Sequence, residues 1–360
     1  MRKKRLLCAC AHSPAFDSCF PLIERLQQRG IIEPLILLGP RLRKVEPRAE
    51  TAVRAAGVPY VAVSFLRLEV FSVLEIVRTD ALLTHSDPRA YGRKFRLRDF
   101  SVLGLNKPTV FVQHGMVQAG LHYAGPKPVW NFHANLILTW TPVPNPHATF
   151  FGSDISNRFR VTGLLKTNRL SPATTQHNLD QELGQWYQRL LICHNFGFES
   201  LLYSKEAQKI AFSEWGKLAD SRPNTLFIIR SHRGKHHAEN TRMLSDLTKN
   251  RPNIILSERH SGLMRMATIN DVMAVVDSVI THPSTVVLDA IYAQKHVGVF
   301  NTNHPELSSL PHVDTAEQIA SFLDQRHSES SAKPIKSLYG EISENLDCAA
   351  KAVENYLMSL

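Results

Sequence analysis

Short runs of almost uninterrupted apolar residues recur along the chain, separated by amphipathic stretches. Arg5-Leu-Leu-Cys-Ala-Cys-Ala, Ala81-Leu-Leu-Thr, Asn135-Leu-Ile-Leu-Thr-Trp and Ser278-Val-Ile-Thr are of this kind. A strand with one wet face alternates apolar and polar residues, so runs apolar at nearly every position belong to strands buried on both faces. With helices between them, such strands indicate a parallel sheet covered on both sides.

Strands are expected at 5–11, 33–38, 60–63, 81–84, 108–113, 135–140 and 158–162, with helices at 17–29, 47–56, 66–78 and 91–103. His12 to Phe16 reads as a loop, and Gly30 and Gly57 stand where helices should end. From about 167 to 181 the chain turns polar, and 171–182 is read as an interdomain linker. A second alternating run follows, with strands at 190–194, 225–230, 253–256, 278–281 and 297–300 and helices at 205–219, 237–247, 271–276 and 286–294. The remainder is helical, broken by a Ser/Glu/Lys/Pro-rich stretch at 328–336 and closing on an amphipathic helix at 341–356. The organisation expected is a Rossmann-like domain at 1–170, a second at 183–312, and helices at 313–360 that pack back across both. Two doubly wound α/β domains of this kind would face a cleft lined by strand carboxyl ends, where ligands bind.

Composition narrows the chemistry. Apolar content of 43% and charged content of 21% are those of a globular protein. No apolar run reaches the roughly 18 residues of a bilayer span. The start, Met1-Arg-Lys-Lys-Arg, reads as a basic tip on the first strand, not as a signal peptide. Five cysteines form no paired CxxC framework, and Cys8-x-Cys10 is expected on opposite strand faces, a poor metal geometry. A reducing cytoplasm fits this cysteine usage. With no Asp-x-Asp and with His236-His237 divergent on a helix, neither a metal nor a cofactor is expected. The net charge of +10 favours polyanions, phosphorylated substrates or an anionic membrane surface. The basic residues are dispersed, the densest cluster being 89–98, and no nucleic-acid-binding signature accompanies them, so nucleic acid is not an expected partner.

Polar clusters fall just after several expected strands: Gln113-His114-Gly115, Gly163 to Asn168, His194-Asn195, Arg230-Ser231-His232 and His282-Pro283-Ser284-Thr285. The last opens a helix, and a helix N-terminus fed by a strand can seat a phosphate through its N–H groups and dipole; it is equally the cap of an ordinary βαβ unit. Shared placement at strand ends, more than any single cluster, argues for a site.

In order and spacing these motifs resemble the CDP-glycerol glycerophosphotransferase family, the teichoic acid and capsule polymerase group with a GT-B fold. Phe111-Val-Gln-His-Gly-Met116 resembles its His-Gly motif, and Phe159 to Asn168 its Gly-x-x-Arg-x-Asp segment. Ile229-Arg-Ser-His232 resembles its Arg-x-His-Pro motif, and Ile269 to Asp289 its Asp-Tyr-Ser-Ser region. The likeness covers roughly 108–300. Where the family has Asp-Tyr-Ser-Ser this chain has His282-Pro283-Ser284-Thr285, which is also similar to the CMP-binding motif of bacterial sialyltransferases and Kdo transferases.

The resemblance implies a GT-B-like transferase that uses a cytidine-nucleotide donor, of CDP-glycerol or CDP-alditol type, to extend or prime a bacterial cell-surface polymer. The first domain would take the acceptor and the second the nucleotide. His114 and His232 are the expected catalytic residues, His114 as the base that takes the acceptor's proton. Arg230, His282, Ser284, Thr285, Asp289 and Asn195 would hold nucleotide and phosphate, with Arg230 and His232 neutralising developing charge, although Asp289 equally suits helix stabilisation and Arg230 a salt bridge. Gln113, Lys166 and Asn168 would contact substrate, or Lys166 and Asn168 would shape the hinge. The acceptor would be a polysaccharide or lipid-linked, placing the enzyme in the cytoplasm with peripheral contact to anionic lipid. The alternatives are a CMP-Kdo or CMP-sialic acid glycosyltransferase, with Asp17 or Asp87 as the carboxylate, and a non-enzymatic polysaccharide-binding module. Epimerases share this two-domain fold, so fold alone does not choose.

Overall fold

A computed structural model describes residues 2–10, 13–62, 77–85, 107–118, 121–122, 134–143, 155–167, 173–196, 204–231, 238–302, 304–325 and 329–360. The chain divides into two compact units, Met1–Thr167 with Leu338–Leu360, and Asn168–Ser337.

In the first unit the strands are β1 (Lys4–Cys10), β2 (Ile32–Leu38), β3 (Tyr60–Ala62), β4 (Ala81–Thr84), β5 (Thr109–Val112), β6 (Leu136–Thr139) and β7 (Phe159–Val161). They form a sheet in the order β3-β2-β1-β4-β5-β6-β7, and every pairing is parallel. Order reverses between β1 and β4, the topological switch of a doubly wound sheet. Three helices follow the early strands, α1 (Ser13–Arg29), α2 (Pro40–Val45) and α3 (Arg48–Ala55). Phe20, Ile23 and Leu26 of α1 are buried with Leu6, Cys8 and Ile36 of the sheet. The α1 helix begins at Ser13, four residues before the expected start, so the loop expected at 12–16 is largely helix. Pro14 explains the early start, because proline is tolerated in a helix's first turn.

Cys8 and Cys10 share a face, with their sulfurs 3.7 Å apart, which corrects the expectation of opposite faces. Side chains alternate along a strand, so residues two apart point the same way. Both thiols are pushed well above the usual thiol range. At Cys8 the opposing contact from Cys10 is outweighed by Cys19 and burial, and at Cys10 the contact with Cys8 and burial both raise it. Among the described residues no cluster suited to a metal occurs.

The second unit has β8 (Gln188–His194), β9 (Thr225–Ser231), β10 (Ile254–Leu256), β11 (Ser278–Thr281) and β12 (His296–Val299) in the order β10-β9-β8-β11-β12, all parallel. Its helices are α4 (Ala173–Leu183), α5 (Lys205–Ser221), α6 (Ala238–Thr248), α7 (Ile269–Val275), α8 (Thr285–Tyr292) and α9 (Ala316–Asp324). Leu190, Ile192, Phe227, Ile229 and Ile280 share one core with Phe212 and Trp215 of α5, Leu247 of α6 and Phe322 of α9. The alternate strand residues Leu191, Ile228 and Val279 are buried too, on the other face. Away from the exposed edge strands β3 and β7, both sheets are thus the covered parallel sheets that the apolar runs predict.

Two stretches expected to be irregular are helical. The polar run read as a linker carries α4, anchored by buried Leu179 and Leu183 one turn apart. Its Glu182 accepts from the Leu263 and Met264 N–H groups at 2.7 and 3.1 Å. The stretch at 328–336 lies mostly in α10 (Glu329–Tyr339), which accommodates Pro334 and buries Ile335 and Tyr339, again four residues apart. The helices expected at 66–78 and 91–103 fall, apart from 77–78, outside the described residues, as do Asp87, the basic cluster at 89–98 and His236-His237.

The final helix, α11 (Ile342–Met358), packs on α1, where Arg25 meets Asp347 at 3.2 Å and Arg29 meets the buried Glu354 at 2.7 Å. Asn345 on α11 donates to the carbonyls of Leu164 and Tyr339 at 3.1 and 2.7 Å, and the Leu164 N–H donates to Tyr339 at 2.9 Å. Gly163 lies at φ +80°, and a Cβ there would stand 2.3 Å from the Asn345 side chain. Gly57 has φ +65° with nothing within 4 Å of such a Cβ. Gly57→Ala should therefore cost about 1 kcal/mol of unfolding free energy in urea, for the left-handed backbone alone. Gly163→Ala should cost about 3 kcal/mol, because strain and the lost Asn345 packing add. Equal losses would mean that the Asn345 clasp is not holding the helix.

Candidate functional site

Strands buried on both faces leave their polar groups at the ends, and in the second unit the order reverses between β8 and β11. At and just beyond their carboxyl ends lie His194-Asn195-Phe196 and His282-Pro283-Ser284, the latter leading into α8. The two segments are bonded to each other. The His282 N–H donates to the Cys193 carbonyl at 3.2 Å, and the Asn195 N–H donates to His282 Nδ1 at 2.9 Å. Ser284 is the N-cap of α8, its Oγ accepting from the Val286 N–H at 3.3 Å and lying 3.3 Å from Thr281 Oγ1. Ser284, Thr285 and Asn195 are partly exposed at this edge, whereas Asp289, one turn into α8, is buried.

His282 itself is 0% exposed. Its ring meets Phe196 edge-on at 4.5 Å and lies 4.2 Å from Phe300. Burial, and secondarily His194, holds its pKa well below the usual imidazole range. The expected phosphate ligand is therefore a neutral imidazole inside the fold, with Nδ1 accepting and Nε2 carrying the proton.

Arg230, at the end of β9, is also buried, donating to the Ala267 carbonyl at 2.9 Å and to Ser257 Oγ at 3.4 Å. Glu258, which the sequence reading did not single out, follows β10 and accepts from the Ser231 N–H at 2.8 Å. Burial pushes the Cys193 thiol up to about 12, opposed by Arg230 and reinforced by Glu258 and Asp289, so it is not a nucleophile at neutral pH.

In the first unit His114 follows β5 and is partly exposed. Its turn is pinned from both sides. Gln113 Nε2 donates to the Gly115 carbonyl at 2.8 Å while Gln113 Oε1 accepts from the Trp140 N–H at 2.8 Å. The His114 N–H donates to Gln118 Oε1, and the Gln118 N–H donates to His122 Nδ1, each at 3.1 Å. Both ends of the Gln113 amide thus serve the backbone, so this residue shapes the site more than it faces a substrate. His85 follows β4, beside the switch of this sheet, with its ring 5.2 Å from that of His114 and 79° to it. It was not anticipated, although its post-strand position is the signal that found His114. Lys166 is buried beyond β7. His232 and Asn168 lie outside the described residues.

The buried imidazole carries a sign. With the folded pKa depressed, the unfolded chain takes up the proton first as pH falls below about 6.5, so stability present above that value is lost toward acid. Urea unfolding from pH 8 to pH 5 should show a decline that is shallower in His282→Asn, which cannot titrate. Parallel curves would place the acid sensitivity elsewhere.

No protein-family model matches the chain, and no curated protein matches it in sequence. Solved structures do match in fold. S. aureus MnaA, solved with UDP, is similar over 99% of this chain and 98% of its own, with TM-score 0.62 and 13% identity. The UDP-GlcNAc 2-epimerase of Neisseria meningitidis, bound to UDP-GlcNAc, is similar over 99% and 100% of the two chains, with TM-score 0.59 and 14% identity. Anabaena HepE, in complex with UDP and glucose, is similar over 98% and 99%, with TM-score 0.58 and 14% identity. At such identities the likeness establishes the GT-B-like architecture of two Rossmann-like domains.

Proposed function

We propose that the chain is a GT-B transferase acting on a pyrimidine-nucleotide-activated donor, with the donor's phosphates seated where α8 begins. The observation that carries this reading is the convergence of Asn195, Ser284 and Thr285 with a helix N-terminus at the switch point of the second sheet. The fold neighbours that were solved with UDP or a UDP-sugar support a nucleotide-sugar donor, and uridine is the first base to test. Cytidine is the second reading, carried by His282-Pro283-Ser284-Thr285 and the motif order around it.

The chemistry follows from the residues. An acceptor hydroxyl attacks the activated carbon, or the phosphorus of an alditol phosphate donor, and gives its proton to a neutral imidazole, for which His114 is the candidate. The bond to the nucleotide breaks, and the charge appearing on its phosphate is met by the α8 N-terminus and the hydroxyls of Ser284 and Thr285. In the finer reading the acceptor is a lipid-linked or polysaccharide chain of a bacterial cell-surface polymer. The net charge of +10 would then hold the enzyme against anionic lipid at the cytoplasmic face. Among the described residues no helix is long and apolar enough to cross a membrane. A 2-epimerase is the competing enzyme reading, since fold neighbours include UDP-GlcNAc 2-epimerases; it would rearrange the donor sugar without consuming an acceptor.

Thermal denaturation with UDP, UDP-GlcNAc, CDP-glycerol, CMP-sialic acid, CMP-Kdo and ADP is the first test. A ligand at a hundredfold its dissociation constant stabilises by about 2.7 kcal/mol, a rise of several degrees. We expect a rise with one pyrimidine series and none with ADP, and no rise with any pyrimidine nucleotide would end this reading. With the donor known, His114→Ala should lower turnover by about 10²- to 10⁴-fold and leave nucleotide affinity unchanged. Full turnover in that variant would remove His114 as the base.

A further inference from the structure

The turn between β11 and α8 spends its one histidine on the inside of the protein. His282 grips the end of β8 twice, its N–H on the Cys193 carbonyl and its Nδ1 on the Asn195 N–H. The first bond extends the β8–β11 pairing one step past the end of β11, and the second reaches two residues further along the neighbouring segment. Thr281 tightens the same turn, its Oγ1 donating to the His282 carbonyl at 2.9 Å while lying within reach of Ser284 Oγ. Ring packing between Phe196 and Phe300 calls for a flat side chain, and the Asn195 N–H calls for an acceptor. Among the flat side chains of this size, neutral imidazole is the one that offers a ring acceptor. Phenylalanine would satisfy the packing and take away the partner of the partly buried Asn195 N–H, which is costly.

We propose that His282 is a positioning residue for the nucleotide seat, locking Asn195 and Ser284 at a fixed separation so that the loop after β8 and the start of α8 receive phosphate as one rigid surface. This rests on the donor seat proposed above, and it gives the histidine a role other than touching the nucleotide. The side chain of Asn195 is then the one presented to the ligand, because its backbone is the part held.

Two variants separate ring from acceptor. His282→Phe keeps a ring and loses the acceptor; His282→Asn places an amide oxygen close to the Nδ1 position and loses the ring. Calorimetric titration with UDP, and with CMP, should show affinity about tenfold weaker in His282→Phe and within about threefold of wild type in His282→Asn, as expected for one backbone hydrogen bond. A histidine of purely structural worth would lower the melting temperature in both variants and leave the affinity of folded protein unchanged, and that outcome overturns the proposal. Nitrogen-15 spectra of the wild-type imidazole supply a measurement that needs no variant. The Nε2–H tautomer with a protected Asn195 amide is expected, and an Nδ1–H tautomer or a rapidly exchanging amide overturns the proposal even if His282→Phe does not fold. If wild type binds neither UDP nor CMP while the tautomer is as expected, the donor seat is what fails, and the positioning role falls with it. Binding by wild type with equal binding by His282→Phe refutes the positioning role alone.

Discussion

Burial of both sheet faces is the constraint from which the rest of this protein follows. Leu190, Leu191 and Ile192, consecutive in β8, are all buried, as are Val279 and Ile280 in β11, so no polar chemistry can be mounted along the strands. Parallel pairing then sends the carboxyl ends of all the strands of one sheet to one edge, and crossover helices begin there. The polar residues of interest accordingly crowd one edge of each sheet, namely His85 and His114 in the first unit and Asn195, Arg230, Glu258 and Ser284 in the second. That edge is also where backbone groups lack ladder partners, which is why so many side chains there end up bonded to backbone.

Those bonds explain what could and could not be read from the residues alone. Strand positions were legible because an all-apolar run has one economical reading, and β4 and β11 lie where the pattern places them. Helices α4 and α10 were not, because among the described residues each shows two buried apolar anchors, four residues apart within polar sequence. The candidate site was legible as a set of positions after strands. The function of each residue was not, since sequence does not say whether a polar side chain at a strand end turns outward or folds back. Gln113, Arg230 and His282 fold back onto carbonyls and N–H groups, while Glu258 and His85 belong to the same edges and carry no motif that marks them.

The first unit shows how support of this kind reaches the catalytic candidate. Asn345 fastens the start of α11 to Tyr339 and Leu164, and the Tyr339 ring meets Trp140 edge-on at 6.5 Å. The Trp140 N–H is held by Gln113, whose other end holds Gly115 beside His114. Physical contact is thus continuous from the last helix to the His114 turn, through groups that are almost all buried. Buried amides of this sort are stabilising only when every arm is satisfied, and the two arms of Gln113 are. His114 therefore sits on a turn that has little freedom to adjust, which suits a base that must meet one proton at one distance.

The same logic separates the phosphate seat from the choice of nucleotide base. A helix N-terminus with hydroxyl caps answers to phosphate charge and geometry and makes no contact that distinguishes uracil from cytosine. The two bases differ at one exocyclic group and the adjoining ring nitrogen, a donor–acceptor exchange that only side chains or backbone groups around the base can read. Residues that build the phosphate seat would consequently look alike in enzymes of either specificity, and a His-Pro-Ser-Thr turn would serve both. On the proposed reading, the turn and its buried histidine set how the leaving group is held, and the base is selected by other residues of the second unit. The identity of the donor is then a separate variable from the mechanism, which is why the stitch at His282 can be tested with any pyrimidine nucleotide that binds.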